Sequence, residues 1–319
     1  MKLYLGTYTK KASKGIYQLE LNQGNLEHLE LLHEVDNPTY INLDGKTLFS
    51  VVKEGSQGGI AYFKDGLLVN QVVEEGAPPC YVSSIPSKGL VFSANYHGGR
   101  VNSYALSEDG LVDHQKLSFG DGSKAHYIQY DENLERVLVC DLGLDRVYAF
   151  RINEENKLVL SATYQADAKT GPRHLVVHPE TKHVYVFTEL SSEVHVVDFS
   201  NDDIKLVEKV SALPAGIEAQ KWGAAIRLSN DGKFLYVSNR GHDSISVFKL
   251  GSTLELIQNV STEGVQPRDF NLSPCGKYCV VANHDTNNLT LFAIDQTSGL
   301  LSLLQKDFET PEAVCVVFA

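Results

Sequence analysis

The chain is built from short apolar runs, rich in β-branched and aromatic residues, that are separated again and again by turn residues. Gly223-Ala224-Ala225-Ile226-Arg227-Leu228 leads into the polar loop Ser229-Asn230-Asp231-Gly232-Lys233. Two further runs follow, Phe234-Leu235-Tyr236-Val237-Ser238-Asn239 and Ser244-Ile245-Ser246-Val247-Phe248. Runs of this length predict strands, and Asp-Gly between two of them is a strong hairpin signal. Helical spacing of apolar residues is nearly absent and turn signals are frequent, which argues against a doubly wound α/β fold.

The same unit recurs. Its first apolar strand restarts near Pro38, Pro79, Ala125, Pro172, Gly223, Pro267 and Pro311, at intervals of 41 to 51 residues. That is the period of a four-stranded propeller blade. The last restart, Pro311–Ala319, holds only one strand. The missing strands stand at the other end of the chain: Lys2-Leu3-Tyr4-Leu5-Gly6-Thr7 matches Lys233-Phe234-Leu235-Tyr236-Val237-Ser238, and Gly15-Ile16-Tyr17-Gln18-Leu19 reads as the strand after it. The expected fold is therefore an all-β, seven-bladed β-propeller over residues 1–319, a single domain closed by pairing the C-terminal strand with the N-terminal strands. Closure removes the exposed edges that an open array would leave.

Composition narrows the function classes. With 43% hydrophobic residues in 319 the chain can fill a sizeable core, and its net charge of −12 with no polybasic run excludes nucleic acid and anionic membrane surfaces as expected partners. Met1-Lys2-Leu3-Tyr4-Leu5-Gly6 runs straight into alternating residues, so no signal peptide is expected, and no apolar stretch is long enough to span a bilayer. The five cysteines, Cys80, Cys140, Cys275, Cys279 and Cys315, are scattered without a CxxC pair. They fit reduced thiols in a cytoplasmic protein and offer no structural zinc site. The oligomeric state is left open.

In a propeller the start of each first strand and the end of each second strand lie at one end of the central channel. At the starts stand Thr39, Cys80, His126, Arg173, Ala224, Arg268 and Glu312; at the ends stand Glu54, Asn95, Asp141, Glu189, Asn239 and Asn283. Most pairs are separated by 15 residues, whereas Arg173–Glu189 is one longer, which aligns Glu189 with Arg240 instead of Asn239. These residues predict a polar ring at one mouth, a natural small-molecule site. Polar strand ends also serve to hold inter-blade turns, and a lone histidine in such a place is often structural. Two arginines after proline, in Gly171-Pro172-Arg173-His174 and Gln266-Pro267-Arg268-Asp269, make a sharper signal. Guanidiniums aimed into one channel need an anion between them: either Glu189 or Glu312, or a bound phosphate or carboxylate, which suits the arginine fork. No GxSxG elbow, HExxH or converging histidine pair occurs.

Ala94-Asn95-Tyr96-His97-Gly98-Gly99, Asp141-Leu142-Gly143-Leu144-Asp145-Arg146, Gly171-Pro172-Arg173-His174, Ser238-Asn239-Arg240-Gly241-His242-Asp243-Ser244-Ile245 and Gln266-Pro267-Arg268-Asp269-Phe270 resemble the seven-bladed lactonase family. That family includes bacterial propeller-type 6-phosphogluconolactonases and fungal carboxy-muconate lactonizing enzymes. The resemblance covers almost the whole chain. It implies a catalytic set of His126, Arg173, Glu189 and Arg268, with no metal and no organic cofactor. The chain departs from the family in Asp269, where relatives often have histidine, and in Val52-Lys53-Glu54, where they often carry an Asn-Glu pair.

The expected chemistry is hydrolysis of an anionic small-molecule lactone, with 6-phosphogluconolactone of the pentose phosphate pathway as the leading substrate. His126 or Glu189 would take the proton of the attacking water, one of Arg173 and Arg268 would hold the oxyanion, and the other, with Arg240, would bind the phosphate. Asn95, Asp141, Asn239 and Asn283 complete the expected binding set. The rivals are a muconate-type cycloisomerase, a lactonase using a cation held by the oxygens of that ring, and a non-catalytic propeller that binds a protein.

Overall fold

A computed structural model describes residues 1–200, 204–217 and 220–319. The strands form seven four-stranded antiparallel sheets. The first blade holds β4 (Ile41–Asp44) to β7 (Leu67–Glu75), and the second β8 (Tyr81–Ile85) to β11 (Gly110–Ser118). The third runs from β12 (Ala125–Asp131) to β15 (Leu158–Gln165), and the fourth from β16 (Pro172–Val177) to β19 (Lys205–Ser211). The fifth is β20 (Trp222–Leu228) to β23 (Leu254–Ser261), and the sixth β24 (Pro267–Leu272) to β27 (Leu301–Glu309). The seventh blade is split, in the order β28 (Ala313–Phe318), β1 (Lys2–Thr7), β2 (Gly15–Asn22), β3 (Asn25–Glu34). Leu3 pairs with Phe318 and Leu5 with Val316, so the two ends of the chain meet as the repeat predicts.

The inner strands touch in succession from β4 round to β28, and β28 touches β4 again. Each blade is covered on both faces, and this explains the unbroken apolar runs. In β21 (Phe234–Arg240), Leu235 and Val237 pack with Phe187 and Ile226 of one cluster, while Phe234 and Tyr236 pack with Phe270 and Cys279 of the next. Period-two alternation thus distributes side chains between two neighbouring blades instead of between core and water. Outer strands are half solvated, as the exposed positions of β27 show. The loops 229–233 and 273–277 repeat one geometry: a serine hydroxyl accepts from the first amide of the next strand, and a glycine takes a positive φ, 71° at Gly232 and 72° at Gly276.

Register shifts in the inner strands shape the mouth. Ala125 faces Asp141 but Tyr127 faces Cys140, so His126 is an extra residue. Arg173 is extra between Pro172 and His174, and Arg268 between Pro267 and Asp269. A β-bulge turns the inserted side chain out of the strand's own alternation. Three blades use it to aim a titratable or cationic group into the channel. In the seventh blade Ala313 faces Thr7 and Cys315 faces Gly6, so Val314 is the extra residue and lines the mouth. Glu312, aligned with Arg268 by sequence, lies outside that position.

Candidate active site

A cavity of about 780 Å³ occupies this mouth, and His126, Arg173, Glu189, Arg240 and Arg268 all line it. The fold brings together residues from the third to the sixth blade that sequence alone could only place near one another. Glu189 stands one residue beyond β17 (His183–Thr188), as Arg240 ends β21, because Thr188 pairs with Pro172 just as Asn239 pairs with Gly223.

Glu189 receives two guanidiniums on one oxygen. Arg173 Nε donates to Oε2 at 2.9 Å, and Arg240 contributes an ion pair to the same atom at 2.7 Å. Both arginines are also fixed by backbone: Arg173 Nη1 donates to the Ala224 carbonyl at 2.7 Å and Arg240 Nη2 to the Gly223 carbonyl at 3.0 Å. Burial works to raise the Glu189 carboxyl, but Arg173, Arg240 and Arg268 outweigh it and hold the pKa below the ordinary carboxylate value. Burial, then the like charge of Arg240, pulls Arg173 down to about 9, so the guanidinium stays charged at neutral pH.

His126 is buried, with no hydrogen-bond partner for its Nδ1 among the described residues, and the Tyr96 ring meets it edge-on at 6.0 Å. Burial first, then the charges of Arg173, Arg268 and Arg240, hold its pKa well below 6.5, which keeps the imidazole neutral at neutral pH. Cys80 also lines the mouth, but burial pushes its thiol up to about 11, and a protonated thiol is a poor nucleophile.

The cavity has an aromatic floor. Tyr40 stacks on Tyr81 with centroids 4.1 Å apart, Tyr81 packs on Tyr127 at 4.6 Å, and His174 meets Tyr81 edgewise and Tyr127 at a tilt. Below it Arg227 donates to Asp269 at 2.9 Å, and the second oxygen of Asp269 accepts from the Val316 amide at 3.0 Å. At Asp269, where the chain departs from the family, the carboxylate ties β24 of the sixth blade to β28, the closing strand of the seventh. A second cavity of about 440 Å³ lies beyond the floor, lined by Tyr40, Tyr127 and Arg227 among others.

Asn95, Asp141, Asn239 and Asn283, expected as binding residues, do not line the mouth. Asn95 accepts from the Gly98 amide and donates to the Ala77 carbonyl. Asp141 accepts from the Ser123 hydroxyl and from the amides of Lys124, Gly143 and Leu144. Asn239 donates to Ser246, and Asn283 to the Thr262 carbonyl and to Thr290. Asn95 and Asp141 brace turns, Asn239 bonds across to the next strand of its blade, and Asn283 holds the connection arriving from the fifth blade, so these side chains are engaged within the protein. No cluster of three or more His, Cys, Asp or Glu placed to hold a metal occurs among the described residues. Glu312 is turned away as well: its carboxylate accepts the amides of Lys10, Lys11, Ala12 and Ser13. The sequence reading missed Tyr8, Lys10 and His97, which line the mouth; His97 stood inside a quoted motif, whereas nothing local marks Tyr8 or Lys10.

The family model described as lactonase, seven-bladed β-propeller, matches residues 2–318. This chain belongs to the seven-bladed propeller lactonase family. Among its relatives is a 6-phosphogluconolactonase of Bacillus subtilis, 34% identical over 99% of this chain and 97% of the relative. Among solved structures, a protein from Lactobacillus plantarum superposes with a TM-score of 0.95 at 41% identity, covering 99% of this chain and 98% of that one. The periplasmic gluconolactonase of Pseudomonas aeruginosa superposes with a TM-score of 0.89 at 26% identity, covering 99% and 98%. Within this lactonase-family chain no helix among the described residues is long and apolar enough to cross a membrane, and all five cysteines are free thiols.

Proposed function

We propose that this mouth hydrolyses a sugar lactone, with 6-phospho-D-glucono-1,5-lactone, the pentose phosphate pathway substrate, as the best fit. The observation that carries the reading is the neutral, unpartnered His126 beside the Arg173–Glu189–Arg240 cluster. Attack of water on the lactone carbonyl releases a proton and builds negative charge on the carbonyl oxygen. His126 is the proton acceptor in this reading; His174, which also lines the mouth, has its Nε2 against Arg173 Nη1 at 3.3 Å and packs on Tyr81. Glu189 is already spent on two arginines, so its role is to hold those guanidiniums in place. Arg173 and Arg240 then meet the developing oxyanion without reorganising, which is how preorganised donors lower a barrier. As the ring opens, the alkoxide leaving group takes a proton from the imidazolium, which restores neutral His126.

Charge supports an anionic substrate. Five cations, Lys10, Lys53, Arg173, Arg240 and Arg268, face two carboxylates around this cavity, in a chain whose net charge is −12. The names of the Bacillus subtilis and Pseudomonas aeruginosa relatives point to the same reaction class. The test is release of acid from 6-phosphogluconolactone and from gluconolactone, corrected for spontaneous opening, in wild type and His126→Gln. A positioned base is worth ~10²–10⁴-fold, so His126→Gln should lose at least a hundredfold in kcat. Rates equal to buffer in the wild type would overturn the reading. Activity should persist in chelator; loss in chelator with recovery on adding calcium would favour the cation-dependent alternative.

A further inference from the structure

Of the cations lining this mouth, Lys10, Lys53 and Arg268 form no ion pair among the described residues, and two of these three share one aromatic ring. Lys10 Nζ stands 4.0 Å from the centroid of the Tyr8 ring, and Arg268 Cζ stands 5.8 Å from the same centroid. All three residues line the cavity. Neither cation forms an ion pair among the described residues, whereas Arg173 and Arg240 are taken by Glu189 and Arg227 by Asp269. The acidic groups nearby are committed elsewhere. Asp285 is held by His284 at 2.7 Å, and Glu312 is enclosed by four backbone amides at 2.9 to 3.2 Å.

The Glu312 contact decides where Lys10 stands. Residues 8–14 join β1 to β2, and the Glu312 carboxylate gathers the amides of residues 10 to 13 of that loop. A loop free at that point would let its lysine extend into water. Pinned, it sets Tyr8 and Lys10 against Arg268, which arrives from β24 on the neighbouring blade. Two like charges around one ring repel, and a ligand anion seated between them would relieve that repulsion. The Arg173–Glu189–Arg240 cluster is a different place in the same cavity, already neutralised in part.

We infer that Lys10 and Arg268, set about the Tyr8 ring by the Glu312-anchored loop, form a subsite for a second anionic group of the substrate, distal to the reacting carbonyl, either a phosphate monoester or a carboxylate. The inference rests on the lactone reading of this mouth and says which end of the substrate goes where. The planar guanidinium of Arg268 binds two oxygens of such a group, and the ammonium of Lys10 adds a point charge. Glu312 is a positioning residue.

The test is calorimetric titration of the intact chain with 6-phosphogluconate, glucarate and gluconate, which share the C1 carboxylate and differ at C6 in carrying phosphate, carboxylate or hydroxyl. Charge-assisted contacts should make the wild type prefer one dianionic or trianionic probe over gluconate by about tenfold or more. Preference for 6-phosphogluconate identifies a phosphate site, and preference for glucarate a carboxylate site. The ratio of the preferred affinity to that for gluconate should fall towards one in Lys10→Ala and in Arg268→Gln, and Glu312→Gln should lower it in part. No preference in the wild type, or a preference that survives both substitutions, overturns the inference. A parallel lactone assay separates the two readings. Turnover with an unchanged ratio in the variants removes the subsite alone; a ratio that behaves as expected without turnover removes hydrolysis alone.

Discussion

Arg173 and Arg268 sit at equivalent bulges of inner strands two blades apart, yet only Arg173 meets a carboxylate. The fourth blade supplies Glu189 one residue past its second strand, 2.9 Å from Arg173 Nε. The sixth blade ends its second strand at Asn283, whose amide is taken by the Thr262 carbonyl and by Thr290. One repeat position therefore carries two electrostatic roles. Arg173 belongs to a buried, mutually braced cluster; Arg268 keeps its charge available to a ligand.

Lysine substitutions should separate those roles. In Arg173→Lys the charge stays, but the Nε bond to Glu189 and the Nη1 bond to Ala224 cannot both be remade. Disturbing a buried pair costs about 3 kcal/mol, so Tm and kcat/KM should both fall. In Arg268→Lys no hydrogen bond or ion pair among the described residues is lost and a cation can still face the Tyr8 ring, so Tm should stay near wild type while kcat/KM falls about tenfold or more. Thermal melts and kinetics on the two variants check this; equal losses of Tm would show that Arg268 is structural.

The pH profile reports on His126. In the proposed reaction its neutral form is the active one, and burial with three arginines holds its pKa well below 6.5. Activity should therefore hold its plateau as the pH falls below 6.5, and kcat/KM should drop only when the free enzyme's imidazole protonates. A bound anion offsets the arginines and raises that pKa, which places the acid limb of kcat at higher pH than that of kcat/KM. Arg268→Gln removes one depressing charge, so its kcat/KM limb should move to higher pH. A limb that stays put would remove His126 as the base.

The blades were legible because each repeat carries its own turn chemistry, and the split seventh blade because Lys2–Thr7 matches the second strand of a complete one. His126, Arg173 and Arg268 stood out because each opens a first strand, two of them marked by Pro172 and Pro267; the extra residue in spacing placed Glu189 with Arg240. Glu312 was misplaced because Pro311–Ala319 contains a single strand, with no following strand to fix its register, and Val314 holds that position instead. For Asn95, Asp141, Asn239 and Asn283 a polar strand end reads the same whether it faces a ligand or the protein, and the observed partners decide it: turn amides for Asn95 and Asp141, the Ser246 hydroxyl for Asn239 and the Thr262 carbonyl for Asn283. Lys10 lay out of reach because its placement depends on Glu312, 302 residues away.

That distant contact yields the last prediction, which concerns closure. The four amides on Glu312 outweigh the effect of burial and hold its carboxyl below about 4.5. A carboxyl depressed in the folded state stabilises fully above its unfolded pKa and loses that contribution as the pH falls through the folded one. Glu312→Gln keeps the size of the side chain but offers a single neutral acceptor oxygen, so it should cost roughly 1–3 kcal/mol at neutral pH. The gap in Tm between wild type and Glu312→Gln should be widest at neutral pH and close on acidification. Removing Pro311–Ala319 altogether takes away β28, bares the edge of β1 and opens the ring between β24 and β4, so the truncated chain should not fold. Circular dichroism melts across pH on both variants provide the measurement. A pH-independent gap would assign the Glu312 effect to packing and not to its charge, and a truncated chain that melts like the full one would show that the seventh blade does not close the ring.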